Sequence, residues 1–292
     1  MTGALFLGID GGGTGCRARL TQADGTVLGE GLAGPAATRF GVDQSWSAIQ
    51  TAARAALTEA GLPETRWSFV RVGVGVAGIG RPGARDGLMA KPHPFAAITF
   101  ASDAMAACLG AHGGQDGGIV IIGTGSCGIA RVAGQDVQVG GYGFPISDEG
   151  SGAWLGLRAL RAALPTLDGR ARATLMTDDV LRRYDHSAPQ VVAWMDRATA
   201  TDYATLAPLV VQHADQGDPV ARRLMQEAAD QIETICRTLM DRGAVRLSLL
   251  GGLASVLALW LAPDLRRKLA DPLGDAMDGA AILAGRPVAQ QG

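Results

Sequence analysis

The sequence predicts an α/β protein made of two related half-folds. A buried strand, a glycine-rich turn and a second strand occur at residues 4–20 and again at residues 118–132, a pattern typical of an internal duplication. Buried strands also alternate with segments of helical length and pattern. The chain has 292 residues, which is sufficient for two domains, since a domain typically takes ~100–200 residues.

The first half of this pattern reads as a strand-rich meander followed by crossover helices. Asp24-Gly25 predicts a tight turn between two strands. A helix that starts with Asp43 as its N-cap is predicted to stop at Gly61-Leu62-Pro63. The predicted strands are Ala4–Asp10, Cys16–Leu20, Thr26–Gly31, Arg71–Ala77 and Ala97–Ser102, and the predicted helices are Asp43–Ala60 and Asp103–Leu109.

The second half repeats the strand–turn–strand segment and then becomes mainly helical. The predicted strands are Gly118–Ile122, Cys127–Val132 and Arg246–Leu250. The predicted helices are Ser151–Ala163, Ala171–Tyr184, Tyr203–Gln216, Pro219–Asp241 and Asp275–Ala284.

Charge and hydropathy exclude several classes of function. Lys and Arg total 26 against 28 Asp and Glu, so the net charge of −2 provides no basic footprint for nucleic acid or an acidic membrane. The apolar run Leu247–Ala262 contains Gly251 and Gly252, and it is shorter than the ~20 residues that a membrane helix needs. Neither Lys91 nor Lys268 follows a glycine run, which excludes a P-loop nucleotidase.

The four cysteines are widely separated and form no C-x-x-C motif, so the sequence does not predict a zinc or iron–sulfur site. Unpaired thiols are typical of a reducing compartment. We therefore expect a cytoplasmic protein.

Asp10 ends a buried strand and precedes Gly11-Gly12-Gly13-Thr14. In one interpretation this is a glycine hairpin that the Asp merely caps. In the other, backbone N–H groups surround phosphate oxygens and the Asp holds Mg²⁺ through water, since Mg²⁺ keeps several of its waters. The second turn, at Gly123, favours the phosphate interpretation, because two such turns can hold a triphosphate from two sides.

Other candidates each have a structural alternative. Asp103 stands where a strand meets a helix and predicts either a helix N-cap or a carboxylate that accepts a proton from an attacking hydroxyl. Asp148 and Glu149 predict either helix capping or hydrogen bonds to sugar hydroxyls. The pair Gly251-Gly252 predicts either a plain turn or bare backbone beneath an adenine.

Three motifs together resemble those of a known superfamily: Gly8-Ile9-Asp10-Gly11-Gly12-Gly13-Thr14, Gly123-Thr124-Gly125-Ser126 and Gly251-Gly252. In this order they resemble the phosphate 1, phosphate 2 and adenosine motifs of the sugar kinase/Hsp70/actin superfamily. Over nearly the whole chain the sequence is similar to the BadF/N-acetylglucosamine kinase family, and within it to the bacterial glucosamine kinases. The segments His93-Pro94-Phe95-Ala96 and Phe144-Pro145-Ile146-Ser147-Asp148 are specific to that subgroup.

The resemblance implies an α/β fold of two ribonuclease-H-like (actin-like ATPase) lobes around a nucleotide and sugar cleft, each lobe with a mixed five-stranded sheet and helices. The lobes would comprise residues 1–105 and 106–275, and a helix in residues 276–292 would return to the first lobe.

The resemblance also implies roles for single residues, with ATP and Mg²⁺ as cofactors. Asp103 would be the catalytic carboxylate, and Asp10 would hold Mg²⁺ through water. The nucleotide would contact Asp10, Gly11, Gly12, Gly13, Thr14, Gly123, Thr124, Gly125, Ser126, Gly251 and Gly252. The sugar would contact Ala37, Thr38, Asp103, Gly143, Asp148 and Glu149.

One position departs from the family pattern. Related sugar kinases carry an Asn that touches the sugar in the loop after the third strand, and Ala37 stands there in this chain. Thr38 and Arg39 are the candidates to replace that amide.

The implied reaction is ATP-dependent phosphorylation of the 6-hydroxyl of an amino sugar, with glucosamine converted to glucosamine 6-phosphate. N-acetylglucosamine and other hexoses are alternative substrates, and a dehydratase-activating ATPase or a non-catalytic sugar sensor are alternative functions. The expected partner is a small-molecule amino sugar, with no nucleic acid or membrane. The sequence leaves undecided whether the protein forms a homodimer through Pro219, Arg222 and their neighbours.

Overall fold

The computed structural model describes residues 3–288, which form an α/β protein. Its strands are β1 (Leu5–Gly11), β2 (Cys16–Gln22), β3 (Val27–Ala33), β4 (Val70–Val76), β5 (Ala97–Ala101), β6 (Gly117–Ile122), β7 (Ser126–Val132), β8 (Gln135–Gly140) and β9 (Leu247–Leu250). Its helices are α1 (Val42–Glu59), α2 (Ala84–Met89), α3 (Asp103–Ala111), α4 (Gly152–Leu167), α5 (Leu175–Arg182), α6 (Ala188–Met195), α7 (Ala200–Ala204), α8 (Ala207–Asp215), α9 (Pro219–Asp241), α10 (Ala254–Ala258), α11 (Pro263–Arg266) and α12 (Ala276–Leu283).

The first sheet is mixed and has five strands in the order β3-β2-β1-β4-β5. Strand β2 pairs antiparallel with β1 and β3, whereas β4 pairs parallel with β1 and β5. Strands β1 and β4 are almost entirely buried because helices cover them. The five strands predicted for this half are confirmed to within two residues at each end.

Helix α12 packs directly on β1, β4 and α3 through glycines. A Cβ on Gly8 would overlap the backbone of Met277, and a Cβ on Gly73 would overlap the backbone of Ala280. The helix backbone therefore rests on the sheet backbone with no side chain between them. On the helix itself, Gly279 meets the backbone of Ala106 in α3 in the same way.

The second sheet has four strands within residues 3–288, in the order β8-β7-β6-β9. The expectation of five strands in this half is therefore wrong. Beside β9, where a fifth strand would pair, the structure has only an isolated parallel bridge between Leu247 and Leu269 within the described residues. The chain reaches Pro272 three residues later, and proline has no N–H with which to extend a strand ladder.

Several predicted helix boundaries are corrected by their caps. Helix α1 begins at Val42 after Gly41, so Asp43 is not its N-cap. Helix α5 begins only after Thr174, whose hydroxyl accepts a hydrogen bond from the N–H of Thr177. The helix predicted over Tyr203–Gln216 is split into α7 and α8, because Pro208 cannot donate a helical hydrogen bond and is tolerated only in the first turn of α8.

The chain divides into two compact units. Unit 1 contains the described residues up to Gly118 together with Ala130–Asp136 and the described residues from Asp271 onward, and unit 2 contains Ile119–Ile129 and Val137–Ala270. The helices of residues 3–288 include none with the length and apolar character needed to cross a lipid bilayer.

Candidate active site

In unit 1, the glycine turn between β1 and β2 is held in place by the loop that follows β3. The N–H of Gly12 donates to the carbonyl of Gly15 at 2.9 Å and closes the turn. The Gly12 carbonyl in turn accepts hydrogen bonds from the N–H groups of Ala36 and Ala37, at 3.0 and 3.1 Å. Thr14 is exposed at the tip. The turn is thus anchored through Gly12, while Gly13 and Thr14 remain on its outer side.

Asp10 and Asp103 lie at neighbouring strand ends. In the β1–β4 ladder Asp10 stands opposite Gly75, and a Cβ on Gly75 would be 3.3 Å from the Cα of Asp103. The Asp10 carboxylate accepts a hydrogen bond of 2.6 Å from the guanidinium of Arg17, its partner across the hairpin. Unit 1 therefore places Asp10 and Asp103, both predicted site residues, next to each other, with Arg17 bonded to Asp10.

Asp103 does not cap a helix. It is the first residue of α3, whose N-cap is Ser102: the hydroxyl oxygen of Ser102 accepts the N–H of Met105 at 3.0 Å. Burial raises the pKa of the Asp103 carboxyl, and the negative charge of Asp10 raises it further, against the opposing effect of the Ala104 N–H. The carboxylate is consequently more basic than an ordinary aspartate, and the N-cap of the helix is supplied by another residue.

In unit 2, the second glycine turn is fixed by the start of α4. The N–H of Gly123 donates to the Gly125 carbonyl at 2.9 Å and closes this turn. The N–H groups of Gly152 and Ala153 donate to the carbonyls of Gly123 and Thr124, at 2.9 and 3.0 Å. This turn is one residue tighter than the first, and it is anchored by a helix N-terminus instead of a loop.

Asp148 and Glu149 lie directly against this second turn. A Cβ on Gly125 would be 2.5 Å from a carboxylate oxygen of Asp148, and the Ser126 hydroxyl donates to the Glu149 carbonyl at 2.7 Å. Asp148 has a positive φ of 65°, which asparagine and aspartate adopt more readily than other residues. The second glycine turn, Asp148 and Glu149 are thus held together in one loop cluster.

The capping interpretation is wrong for both of these acids. The N-cap of α4 is Ser151, whose hydroxyl oxygen accepts the N–H of Trp154 at 3.2 Å. Burial raises the pKa of the Asp148 carboxyl, and hydrogen bonds from the backbone N–H groups of Gly143 and Ser126 act in the opposite direction. The carboxylate of Asp148 therefore faces Gly143, another residue predicted for the sugar site.

Gly251 and Gly252 follow β9 and lie next to the end of β6. Gly251 has a φ of +99°, and a Cβ there would overlap the carbonyl of Ile122, the residue before Gly123. Gly251 is therefore required by the fold. Gly252 is exposed, and no atom of the described residues lies within 4 Å of its Cβ position. Bare backbone is thus available at Gly252, as an adenine would require.

Two predicted sugar residues offer little to a ligand. Ala37 is 4 % exposed, and the buried hydroxyl of Thr38 donates to the Gly78 carbonyl at 2.6 Å. Sequence reasoning gave no role to Arg17, although counting outward from the turn would have placed it opposite Asp10. It also missed Ser147, whose hydroxyl donates to the Glu149 carboxylate at 3.2 Å.

The oxygen donors in unit 1 fit a magnesium ion that is shared with a nucleotide. Within residues 3–288 no cluster of three or more His, Cys, Asp or Glu side chains could hold a metal ion by itself. Mg²⁺ is usually held by one or two carboxylates plus substrate phosphates and keeps several waters. Asp10, with Asp103 as its neighbour, supplies the type and number of carboxylates that such a site needs.

The chain matches a known protein family along almost its whole length. The model of the BadF/BadG/BcrA/BcrD ATPase family matches residues 7–284. The chain belongs to this family. The match includes both glycine turns, both acidic segments and Gly251-Gly252, so the resemblance drawn from those motifs is confirmed.

The proteins to which this chain is similar include sugar kinases. The Vibrio cholerae glucosamine kinase GspK is 39 % identical over 282 residues, which cover 97 % of this chain and 96 % of that protein. The N-acetylmuramic acid/N-acetylglucosamine kinase of Clostridium acetobutylicum is 28 % identical over 77 % of this chain and 76 % of its own length.

A solved structure from this group supports the fold. The candidate N-acetylglucosamine kinase of Chromobacterium violaceum is 38 % identical, with a TM-score of 0.86 over 96 % of this chain and 99 % of that one. The two-sheet α/β architecture of the sugar kinases is thereby confirmed for this chain.

Proposed function

We propose that this protein is an ATP-dependent kinase that phosphorylates the 6-hydroxyl of glucosamine. The observation that carries the proposal is the 39 % identity to a glucosamine kinase along essentially the full length of both proteins. The half-buried Asp103, which follows β5 and is not the N-cap of α3, would give the reaction the carboxylate that it needs.

Phosphoryl transfer has a loose transition state, so the protein contributes mainly positioning and charge stabilisation. The turns at Gly12–Thr14 and Gly123–Ser126 would hold the phosphates through backbone N–H groups and short hydroxyl side chains. Asp10 would hold Mg²⁺ through water, and the ion, when bound, neutralises charge on the phosphate oxygens. Arg17 keeps the Asp10 carboxylate in one orientation through its 2.6 Å hydrogen bond.

Asp103 would orient the sugar hydroxyl and accept its proton as the new bond to phosphorus forms. A base works best when its pKa is not far below the working pH. Burial and the neighbouring Asp10 raise the pKa of Asp103 in that direction. The rigid attachment of α3 to β4 through Gly75 keeps the carboxylate in place.

Asp148 and Glu149 would bind the sugar. A protonated 2-amino group needs an anionic acceptor, and these two side chains are carboxylates on one loop that Ser126 and Ser147 hold through hydrogen bonds. Gly143 would contribute unencumbered backbone beside them.

The test is an ADP-release assay with Mg-ATP and a panel of hexoses and amino sugars. We expect the highest kcat/KM with glucosamine. A higher value with N-acetylglucosamine would assign the alternative substrate that the names of two relatives suggest, and no release with any sugar would overturn the proposal.

The proposed alternatives in other classes receive less support. A dehydratase activator needs accessible thiolates to hold an iron–sulfur cluster, but Cys16, Cys108 and Cys236 are buried. Burial raises the pKa of these thiols to about 12, 11 and 12. A non-catalytic sensor would not need a basic carboxylate such as Asp103.

A further inference from the structure

The loop after β3 presents only one polar side chain on the side of the first glycine turn. Ala37 is buried, and its N–H is bonded to the Gly12 carbonyl. Thr38 is 7 % exposed, and its hydroxyl proton is shared between the Gly78 and Ala77 carbonyls, at 2.6 and 3.3 Å. Arg39, by contrast, is exposed.

The guanidinium of Arg39 lies across the middle of that turn. Its Nη2 atom is 3.0 Å, and its Cζ atom 3.6 Å, from the position that a Cβ on Gly13 would occupy. The side chain also stacks over Phe40, with Cζ 4.7 Å from the ring centroid. A cation–π contact of this kind favours one orientation of an otherwise flexible side chain.

The positive charge of Arg39 is not neutralised by a neighbour. Within residues 3–288 no carboxylate lies within ion-pair distance of its guanidinium. Arg17, the other arginine at this turn, is paired with Asp10 at 2.6 Å. The turn therefore carries one cation that is already paired and one that is available to an anion.

A guanidinium is well suited to the ligand that this turn would hold. Its planar fork of N–H groups matches two oxygens of one phosphate. In phosphoryl transfer an arginine supplied by the same chain can stabilise charge on the transferred group. We propose that Arg39 binds the terminal phosphates of the nucleotide at Gly12–Thr14. The expected effect of Arg39 on kinase kinetics rests on the proposed function, whereas its expected effect on nucleotide binding does not.

The experiment compares Arg39→Gln and Arg39→Lys with the wild type, using calorimetric titration with AMPPNP plus Mg²⁺ and separately with adenosine. For Arg39→Gln we expect AMPPNP affinity to fall about tenfold or more, because charge-assisted hydrogen bonds to phosphate are lost. Adenosine affinity should change less than about twofold, because adenosine has no phosphate. Arg39→Lys should retain part of the AMPPNP affinity, because it keeps the charge and loses the fork.

Arg172→Gln is the matched control, because Arg172 is also an exposed arginine and lies outside the segments assigned to the site. It should leave both affinities unchanged. In the kinase assay Arg39→Gln should lower kcat/KM for ATP about tenfold or more and change the KM for glucosamine less than about twofold.

Three outcomes would overturn the assignment. These are AMPPNP affinity within about twofold of the wild type, an equal loss of adenosine affinity, or an effect confined to the KM of the sugar, which would make Arg39 a sugar-binding residue. If the wild type bound AMPPNP but phosphorylated no sugar, the proposed function would fail while the binding comparison would still decide the role of Arg39.

Discussion

At the scale of single residues, Asp103 has three properties that together distinguish it from a structural aspartate. Ser102 caps α3 in its place. Gly75 brings it next to Asp10 at the strand ends. Burial and the Asp10 charge raise its pKa. A carboxylate whose charged form is destabilised by burial and by a neighbouring carboxylate is typical of a functional site.

Replacement of Asp103 by Asn should separate catalysis from binding. We expect kcat to fall by ~10²-fold or more, the usual scale for loss of a general base, while AMPPNP affinity stays close to that of the wild type. Helix α3 keeps its Ser102 cap, so the variant should fold. Asp86→Asn, an exposed acid in the first turn of α2, is the control. Near-native turnover in Asp103→Asn would remove Asp103 from the mechanism.

The same substitution should alter the pH dependence of stability. Because the folded-state pKa of Asp103 is raised, its carboxyl stabilises the fold below the unfolded-state pKa, and that contribution is lost as pH rises through the folded-state pKa. Asp103→Asn should therefore gain stability relative to the wild type between low pH and pH 7. Urea unfolding over a pH series measures this difference, and a difference independent of pH would contradict the expectation.

At the scale of elements, the two glycines of the second turn differ in what they do. In the second turn, Gly125 is occupied on one side by the Asp148 carboxylate, whereas no described atom lies within 4 Å of the Cβ position at Gly123. Neither residue has a positive φ. A side chain at Gly125 would therefore have to displace the Asp148 carboxylate, whereas one at Gly123 would displace no described atom.

Alanine substitutions at these two positions should have different effects. Gly123→Ala should leave the Tm within about 2 °C of the wild type, a change that corresponds to about 1 kcal/mol or less. It should weaken AMPPNP binding because a methyl group would block close approach of phosphate. Gly125→Ala should displace Asp148 and lower the Tm as well. Calorimetry and thermal unfolding of the pair provide the comparison, and equal behaviour of the two variants would contradict it.

Element boundaries show where local sequence signals compete. Asp43, Asp103 and Asp148 are all acceptable N-caps by residue type, yet Gly41, Ser102 and Ser151 occupy the capping positions. Strand β8 was not predicted at all, although Ala133 and Gly134 form a turn with positive φ between β7 and β8. The sequence signals indicate that a helix starts nearby, and tertiary packing decides which residue becomes its N-cap.

At the scale of the whole molecule, unit 1 depends on a helix that arrives from the far end of the chain. Helix α12 covers β1 and β4 and contacts α3, through backbone approaches at Gly8, Gly73, Gly110 and Gly279. This close packing explains part of the high glycine content, 42 of 292 residues. The same strands carry Asp10 and Gly75, so the helix also supports the acidic pair.

Gly279→Ala should destabilise unit 1 severely. The new Cβ would overlap the backbone of Ala106, and backbone cannot move aside as a side-chain tip can. We expect a loss of about 3 kcal/mol or more in the free energy of unfolding, at or above the upper end of ordinary overpacking. Gly80→Ala is the control, since no described atom is within 4 Å of its Cβ position and its φ is not positive. Denaturant unfolding of both variants measures the difference, and similar midpoints would contradict it.

The sequence alone determined the strand–turn–strand segments, the α/β class and the family, because each depends on short motifs whose residues are close together and on the order of those motifs along the chain. Only the tertiary structure decided that Asp103 meets Asp10 through Gly75, that Asp148 lies against Gly125 and that Arg39 crosses Gly13. These pairs join residues far apart in sequence, and their contacts arise only when neighbouring strands and loops pack. Local propensity and spacing carry no information about that packing.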